Sequence, residues 1–430
     1  MANLIVNGGK ALNGTITPAG NKNAVLPILC ATLLTDDDVI LRNIPDLTDV
    51  NQLVSLLTEL GSMIEWDKEK NILKINNSKI NKEHLTDELP IGMRGSVLLF
   101  APLLNKIKHL HLKAEIGGCA LGIRELDPHL EVLTALGANI VTNDEDITMD
   151  IKGTFKGCNI WQDYMSVTTT ENFIMGASVA QGKSEMNNAA SEPHVQDLCN
   201  FLVSMGANID GIGSSIVKIT GQKELHGTDF TISSDHHEIT TLLALGAMTG
   251  GEIRVNNAIP EQFPLIIKQF KKLGVDIEYE GDIAIVRANQ KLKVMEPYTK
   301  NLLPKIEAAP WPYFPVDLLP LMVALSVKAE GSIMFWNKVY EGGLLWIPEM
   351  MKFGAEIVMA DPHRIIVYGN KPLTPATVTS PNIIRVAVAL MMVALSIPGK
   401  STILAADSIK RAHPNFIENL QNLGADISWE

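Results

Sequence analysis

One short pattern recurs six times along this chain, and it restricts the fold more than any other feature. An amphipathic stretch ends in an apolar residue and a glycine, and a short alternating stretch begins at once. In the first half the copies are Leu60-Gly61-Ser62-Met63-Ile64, Leu136-Gly137-Ala138-Asn139-Ile140 and Met205-Gly206-Ala207-Asn208-Ile209. The second half has Leu273-Gly274-Val275-Asp276-Ile277, Phe353-Gly354-Ala355-Glu356-Ile357 and Leu423-Gly424-Ala425-Asp426-Ile427. Successive glycines stand roughly 70 to 80 residues apart, a longer period than solenoid repeats use. Glycine after a helix supplies the left-handed cap conformation that a side chain opposes. The alternation beyond it describes a strand with one buried face.

A second signature precedes each of these junctions: an apolar helix, a turn, then a strand. Ala31-Thr32-Leu33-Leu34 runs into Val39-Ile40-Leu41, Leu243-Ala244-Leu245-Gly246 into Glu252-Ile253-Arg254-Val255, and Val393-Ala394-Leu395-Ser396 into Ser401-Thr402-Ile403-Leu404. Each copy thus holds at least two helices and several strands, too few and too one-sided to stand alone. The expectation is an α/β fold in which three copies, helices inside and sheets outside, form one domain and six form two. A chain of 430 residues is also too long for one comfortable core.

Hydrophobic residues make up 46% of the chain and charged residues 20%, which leaves no room for long disorder. The net charge of −12 argues against a general binder of nucleic acid or membrane surfaces. Any bound anion must therefore meet a local cluster of basic residues. Met1 to Gly8 shows no basic leader with an apolar core. The longest apolar stretch, Val386 to Ile397, is short for a bilayer and reads as a buried helix headed by Arg385. Cys30, Cys119, Cys158 and Cys199 are scattered without a paired metal spacing, so free thiols in a reducing compartment are expected. These features predict a cytoplasmic protein with neither a membrane nor a nucleic-acid partner.

Several polar positions suit an anion. Lys22 and Asn23 stand in a polar turn before the apolar run Val25 to Leu34, where a point charge and backbone N–H donors converge. A solvated surface lysine is the plain alternative. Cys119 lies among Gly117, Gly118 and Gly122 with Arg124 close by, a setting for either a thiolate or an inert buried thiol. Arg94 precedes the apolar stretch Val97 to Leu104, and a cation there opposes the helix dipole unless an anion compensates. Ser166-Val167-Thr168-Thr169-Thr170 is a hydroxyl-rich helix entry suited to capping. Asp317, in Phe314-Pro315-Val316-Asp317-Leu318, is placed to cap a helix or to act as a base. Arg385 and Arg411 are guanidiniums beside apolar segments, where a dianionic ligand would be a fitting partner.

The repeats, with Gly20-Asn21-Lys22-Asn23-Ala24 and the Cys119 loop, resemble the enolpyruvyl transferases from Leu4 to Ile427. The nearer branch is that of UDP-N-acetylglucosamine 1-carboxyvinyltransferase rather than 5-enolpyruvylshikimate-3-phosphate synthase, which lacks the cysteine loop. The resemblance implies a two-domain inside-out α/β barrel, residues 22–233 forming one domain and 1–21 with 234–430 the other, with a ligand cleft between them. It also implies transfer of the enolpyruvyl group of phosphoenolpyruvate to a hydroxyl of a UDP-sugar, with no metal or organic cofactor. Lys22, Arg124, Arg385 and Arg411 would hold phosphoenolpyruvate, and Cys119 would protonate its methylene carbon. Asn23, Arg94, Asp127, Ser166, Val167 and Thr168 would hold the acceptor, while Asp317 would orient or deprotonate its hydroxyl.

Departures from that pattern cluster around the ligand cleft that the resemblance implies. Gly343 stands where the family has a carboxylate-binding arginine five positions before Pro348-Glu349. Ile383 replaces an aspartate two residues before Arg385, and Thr168 a usual glycine. Asp235-His236-His237-Glu238 replaces an aspartate followed by Arg-Ile-Glu, and Ser191 replaces an arginine. The best expectation is transfer to UDP-N-acetylglucosamine, a step toward peptidoglycan. A paralogue using another nucleotide acceptor in specialised metabolism and an inactive nucleotide binder are the alternatives.

Overall fold

The computed structural model describes residues 2–80, 94–113, 125–143, 146–411 and 415–430. They divide into two compact units, one spanning 20–233 and the other 2–19 with 234–430. The helices of the first are α1 (Lys22–Ala31), α2 (Thr48–Glu59), α3 (Phe100–Ile107), α4 (Asp127–Ala135), α5 (Val167–Ser178) and α6 (Pro193–Ser204). Those of the second are α7 (His236–Thr249), α8 (Pro264–Lys272), α9 (Leu319–Ser326), α10 (Ile347–Met351), α11 (Ile384–Ser396) and α12 (Phe416–Asn422).

The even-numbered helices end at the glycines that the repeat singled out. Gly61, Gly137, Gly206, Gly274, Gly354 and Gly424 all have positive φ, from 79° to 104°. A strand follows each, the first being Met63–Asp67 and the last Asp426–Trp429. Any β-carbon there would be strained, which is why the residue type recurs.

The odd-numbered helices carry the cores. In the second unit α7, α9 and α11 pack against one another and are buried along nearly their whole length. Each fully buried leucine or valine among them contributes about 1.5–3 kcal/mol. In the first unit α5 is buried from Thr169 to Ser178 and packs on α3 and α6. By contrast α2 is one-sided, burying Val50, Leu53, Leu56 and Leu57 at helical spacing.

Sheets flank these helices, and strands from distant parts of each unit complete them. In the first unit Asp229–Thr231 adds in parallel to Val39–Arg42, at the edge of a sheet continued by Ile72–Asn76 and Met63–Asp67. In the second unit Gly14–Ile16 pairs in parallel with Ile253–Val255. Leu4–Gly8 lies antiparallel between Gly399–Leu404 and Asp426–Trp429. The first nineteen residues thus belong to the second unit through its sheets. The expected buried helix Val386 to Ile397 is α11, and no helix among the described residues is long and apolar enough to cross a membrane.

Candidate functional site

In the unit 20–233, Asn21 caps α1: its side-chain oxygen accepts from the N–H of Asn23 at 2.9 Å. Lys22 opens the helix, and its ammonium lies 2.5 Å from Asp49 Oδ2 in the first turn of α2. Both side chains are more than four-fifths buried, so Lys22 is not the solvated lysine that the turn alone suggested. A carboxylate holds the ammonium at the start of its own helix, where the dipole disfavours it.

The hydroxyl-rich turn behaves as expected of a cap. Ser166 is the N-cap of α5, its Oγ accepting from the N–H of Thr169 at 3.4 Å. Val167 and Thr168 form the first turn, both half-buried. The Thr168 hydroxyl meets His129 Nε2 at 3.2 Å, and Asn172 Nδ2 meets His129 Nδ1 at 3.0 Å. The Asn172 amide is fixed from its other side, donating to the Val97 carbonyl at 2.8 Å and accepting from the Ala101 N–H at 3.1 Å. Nδ1 of His129 therefore accepts, and the ring proton sits on Nε2. Burial lowers the pKa of His129 to about 4, so the imidazole is neutral. Asp127, two residues earlier, is the exposed first residue of α4. It lines an open surface hollow of about 520 Å³ with Leu130, Glu131 and Thr134.

Arg94 opens a 3-10 segment, Arg94–Leu99, rather than standing before an α-helix; α3 starts only at Phe100. Cys119 and Arg124 lie outside the described residues. The remaining cysteines, Cys30, Cys158 and Cys199, are free. Burial pushes the Cys199 thiol up to about 12 and Cys158 to about 11, while Cys30 is raised further still. None of these three offers a thiolate.

The second unit gathers charges at the start of α7 and α11. Asp235 caps α7, its Oδ1 accepting from the backbone N–H of His237 at 2.8 Å and from His237 Nδ1 at 2.9 Å. The Oδ2 atom faces Arg385 Nη2 at 3.9 Å. Arg385 is the second residue of α11, with a side chain only 10% exposed. That cation at a helix start has the carboxylate it requires within its own unit. The rings of His236 and His237 lie against each other, centroids 4.0 Å apart.

Asp317 belongs to a 3-10 turn, Val316–Leu318, before α9. It does not cap that helix: Leu318 holds the cap position without a side-chain bond, which removes the capping alternative. The carboxylate is 38% exposed, and its Oδ2 lies 4.0 Å from His237 Nε2. Arg411 ends the 3-10 segment Ala406–Arg411 and is half-buried. Asp235, His237, Asp317 and Arg385 therefore form one cluster. In sequence the two histidines stand out only as departures from the family pattern, because nothing local links them to a carboxylate eighty positions on. The ligand atoms of Asp235, His236 and His237 lie within 4.8 Å of one another, a spacing a metal could span. The Asp235–His237 bond and the Arg385 guanidinium already engage that carboxylate, and both oppose a cation there.

At Gly343 a β-carbon would stand 1.9 Å from Asn337 Nδ2. Asn337 is buried, and its Oδ1 accepts from the N–H groups of Val339 at 2.9 Å and Tyr340 at 3.0 Å. A side chain at 343 therefore requires the Asn337 amide, held by those two bonds, to move. Ile383 precedes α11 in an extended conformation and packs on the core.

A family model for EPSP synthase (3-phosphoshikimate 1-carboxyvinyltransferase) matches residues 6–420. A Borrelia garinii protein named UDP-N-acetylglucosamine 1-carboxyvinyltransferase is 39% identical over 427 residues, 99% of each chain. A Bacteroides fragilis protein of the same name is 35% identical over 436 residues, covering 100% of both. Among solved structures, the enolpyruvyl transferase NikO from Streptomyces tendae has a TM-score of 0.86 at 21% identity, covering 100% of this chain and 98% of its own. An EPSP synthase from Acinetobacter baumannii gives 0.78 at 16% identity, with 100% of both chains covered. Both structures share the fold.

Proposed function

The chain belongs to the EPSP synthase family and is an enolpyruvyl transferase, and from that premise we propose that it moves the enolpyruvyl group of phosphoenolpyruvate to a hydroxyl of UDP-N-acetylglucosamine. What carries the acceptor assignment is whole-length identity of 35% to 39% with relatives bearing that activity as their name. In this reading Asp317 takes the hydroxyl proton while the hydroxyl oxygen attacks C2 of phosphoenolpyruvate. Cys119 delivers a proton to C3. Loss of phosphate and of a C3 proton then yields the enol ether.

Lys22, Arg124 and Arg411 would stabilise the phosphate as charge gathers on it, and Arg385 would grip the carboxylate. Asn23, Arg94, Asp127, Ser166, Val167 and Thr168 would hold the acceptor. The Lys22–Asp49 and Arg385–Asp235 pairs support this, since each keeps a cation in place at a helix start. Exclusion of water matters, because protonation of C3 builds positive charge at C2 that water would also attack.

The geometry at Gly343 favours a second reading, in which the grip on substrate has changed and another nucleotide is the acceptor. Phosphate release from phosphoenolpyruvate, with mass spectrometry of the product, decides between them. Release with UDP-N-acetylglucosamine supports the first reading; release only with UMP, UDP or UDP-glucose supports the second. Nucleotide binding with no release would make the chain an inactive relative. Replacing Asp317→Asn should lower kcat by about 10²- to 10⁴-fold, the usual scale for a general base. An undiminished kcat would remove Asp317 from the scheme.

A further inference from the structure

The cluster at the start of α7 contains a buried imidazole that the reaction as written does not use. His237 is held by Asp235, whose oxygen lies 2.9 Å from Nδ1. A carboxylate only accepts, so Nδ1 carries the proton and the lone pair of the neutral ring is on Nε2. That atom faces Asp317 Oδ2 at 4.0 Å. Two acceptors make no hydrogen bond at that distance; one becomes possible once Asp317 is protonated, and such contacts commonly shorten in the substrate complex.

Among the described elements, those packed most closely on α7 are Val316–Leu318, α9, α11 and the strands Ile253–Val255 and Ile283–Val286. Among these, α9 and Ile283–Val286 have no titratable side chain. The strand Ile253–Val255 brings Arg254, whose guanidinium is engaged by Glu280 at 2.5 Å. On α7 itself His236 stacks on the ring, and Glu238 Oε2 accepts from the Ala19 N–H at 2.9 Å. Among the described residues, the charged groups that face His237 are Asp235, Asp317 and, across Asp235, Arg385.

We infer that His237 acts through Asp317 as a positioning residue for the transferred proton: its Nε2 accepts the proton that Asp317 takes from the acceptor. This rests on the role of Asp317 proposed above. The acceptor O–H bond breaks and its electron pair forms the new C–O bond, while the proton passes to Asp317 Oδ2. From there it moves to the lone pair of His237 Nε2, regenerating the Asp317 carboxylate. The imidazolium so formed stands between two carboxylates and releases its proton to solvent after product leaves.

His237→Asn keeps an N–H where Nδ1 stood, so the bond to Asp235 survives while the acceptor at Nε2 is lost. With phosphoenolpyruvate and UDP-N-acetylglucosamine, this variant should lose about ten- to hundredfold in kcat with little change in KM, and its kcat–pH profile should change shape. In an Asp317→Asn background the same change should have no further effect. A His237→Asn enzyme with wild-type kcat and pH profile, beside an inactive Asp317→Asn, sinks the relay and leaves the base standing. An active Asp317→Asn sinks the base itself. Imidazole ¹⁵N spectra need neither substrate nor a replaced histidine. The His237 ring nitrogens should show the Nδ1–H tautomer and shift between wild type and Asp317→Asn. Identical shifts overturn the inference.

Discussion

His129 and His237 are both buried imidazoles on helices, one in each unit, and they hold their protons on opposite nitrogens. His129 receives an amide N–H at Nδ1 and gives its own proton from Nε2 to a hydroxyl. His237 gives its proton from Nδ1 to a carboxylate and turns Nε2 toward another. A second proton on His129 would set donor against donor at Asn172 Nδ2. A second proton on His237 would meet an acceptor. Burial is thus shared, and the partners decide whether a ring is neutral packing or able to take up charge.

The sharpest way to break the contrast is to remove the carboxylate that sets His237. Asp235→Ala strips the cap from α7, the Nδ1 partner from His237 and the counter-ion from Arg385 at once. Removing one partner of a buried ion pair costs about 3–5 kcal/mol, and the lost cap belongs to the same sum. The midpoint of urea unfolding should fall accordingly with the slope unchanged. A loss below about 1 kcal/mol would mean that the cluster is not held by this carboxylate.

Acid should expose the other pole. The pKa of His129 falls from its ordinary 6.5 to about 4 on folding, so the unfolded chain binds the extra proton more readily between those values. Stability from this group is complete above pH 6.5 and is lost as pH falls toward 4, by about 3 kcal/mol at most. Glu171, beside Asn172 on α5, acts in the opposite sense. Burial and then Glu192 raise its pKa well above the ordinary carboxylate range. Its contribution is therefore present in acid and lost as pH rises through the raised value. Stability measured from pH 7 to 4 in wild type and in His129→Gln separates the two, because only the histidine contribution vanishes in the variant. Equal slopes would mean that His129 titrates normally.

How much of this was legible beforehand divides by distance along the chain. The six glycines, the cap at Ser166 and the buried α11 are local matters, decided by backbone conformation and by residues within a turn of one another. Asp317 was legible as a carboxylate beside a helix but not as a non-capping one, since the 3-10 turn ahead of α9 displaces the cap to Leu318. The partners of Lys22 and Arg385 were not legible. Asp49 and Asp235 reach them only through helix packing, and no periodicity encodes that. The same holds for His237 and Asp317, and for the pairing of Leu4–Gly8 with strands at the far end of the chain. The departure at Gly343 was visible as a missing arginine, but the Asn337 amide lying where a β-carbon would stand was not.

The mildest test acts on the hydroxyl that receives the His129 proton. Thr168→Val keeps shape and removes one hydrogen bond, the 3.2 Å contact to Nε2. Thr168 is only half-buried, so water can take the place of its hydroxyl, and the Asn172 bond still fixes the ring. The loss should be about 0.5–1 kcal/mol, the net worth of a neutral hydrogen bond that solvent partly replaces. In His129→Ala the ring donor is gone, so adding Thr168→Val should cost less than it does in wild type. Fully additive losses would mean that Thr168 acts through its place in the first turn of α5 and not through His129. The neutral imidazole would then owe its tautomer to Asn172 alone, and the contrast with His237 would rest on one nitrogen rather than two.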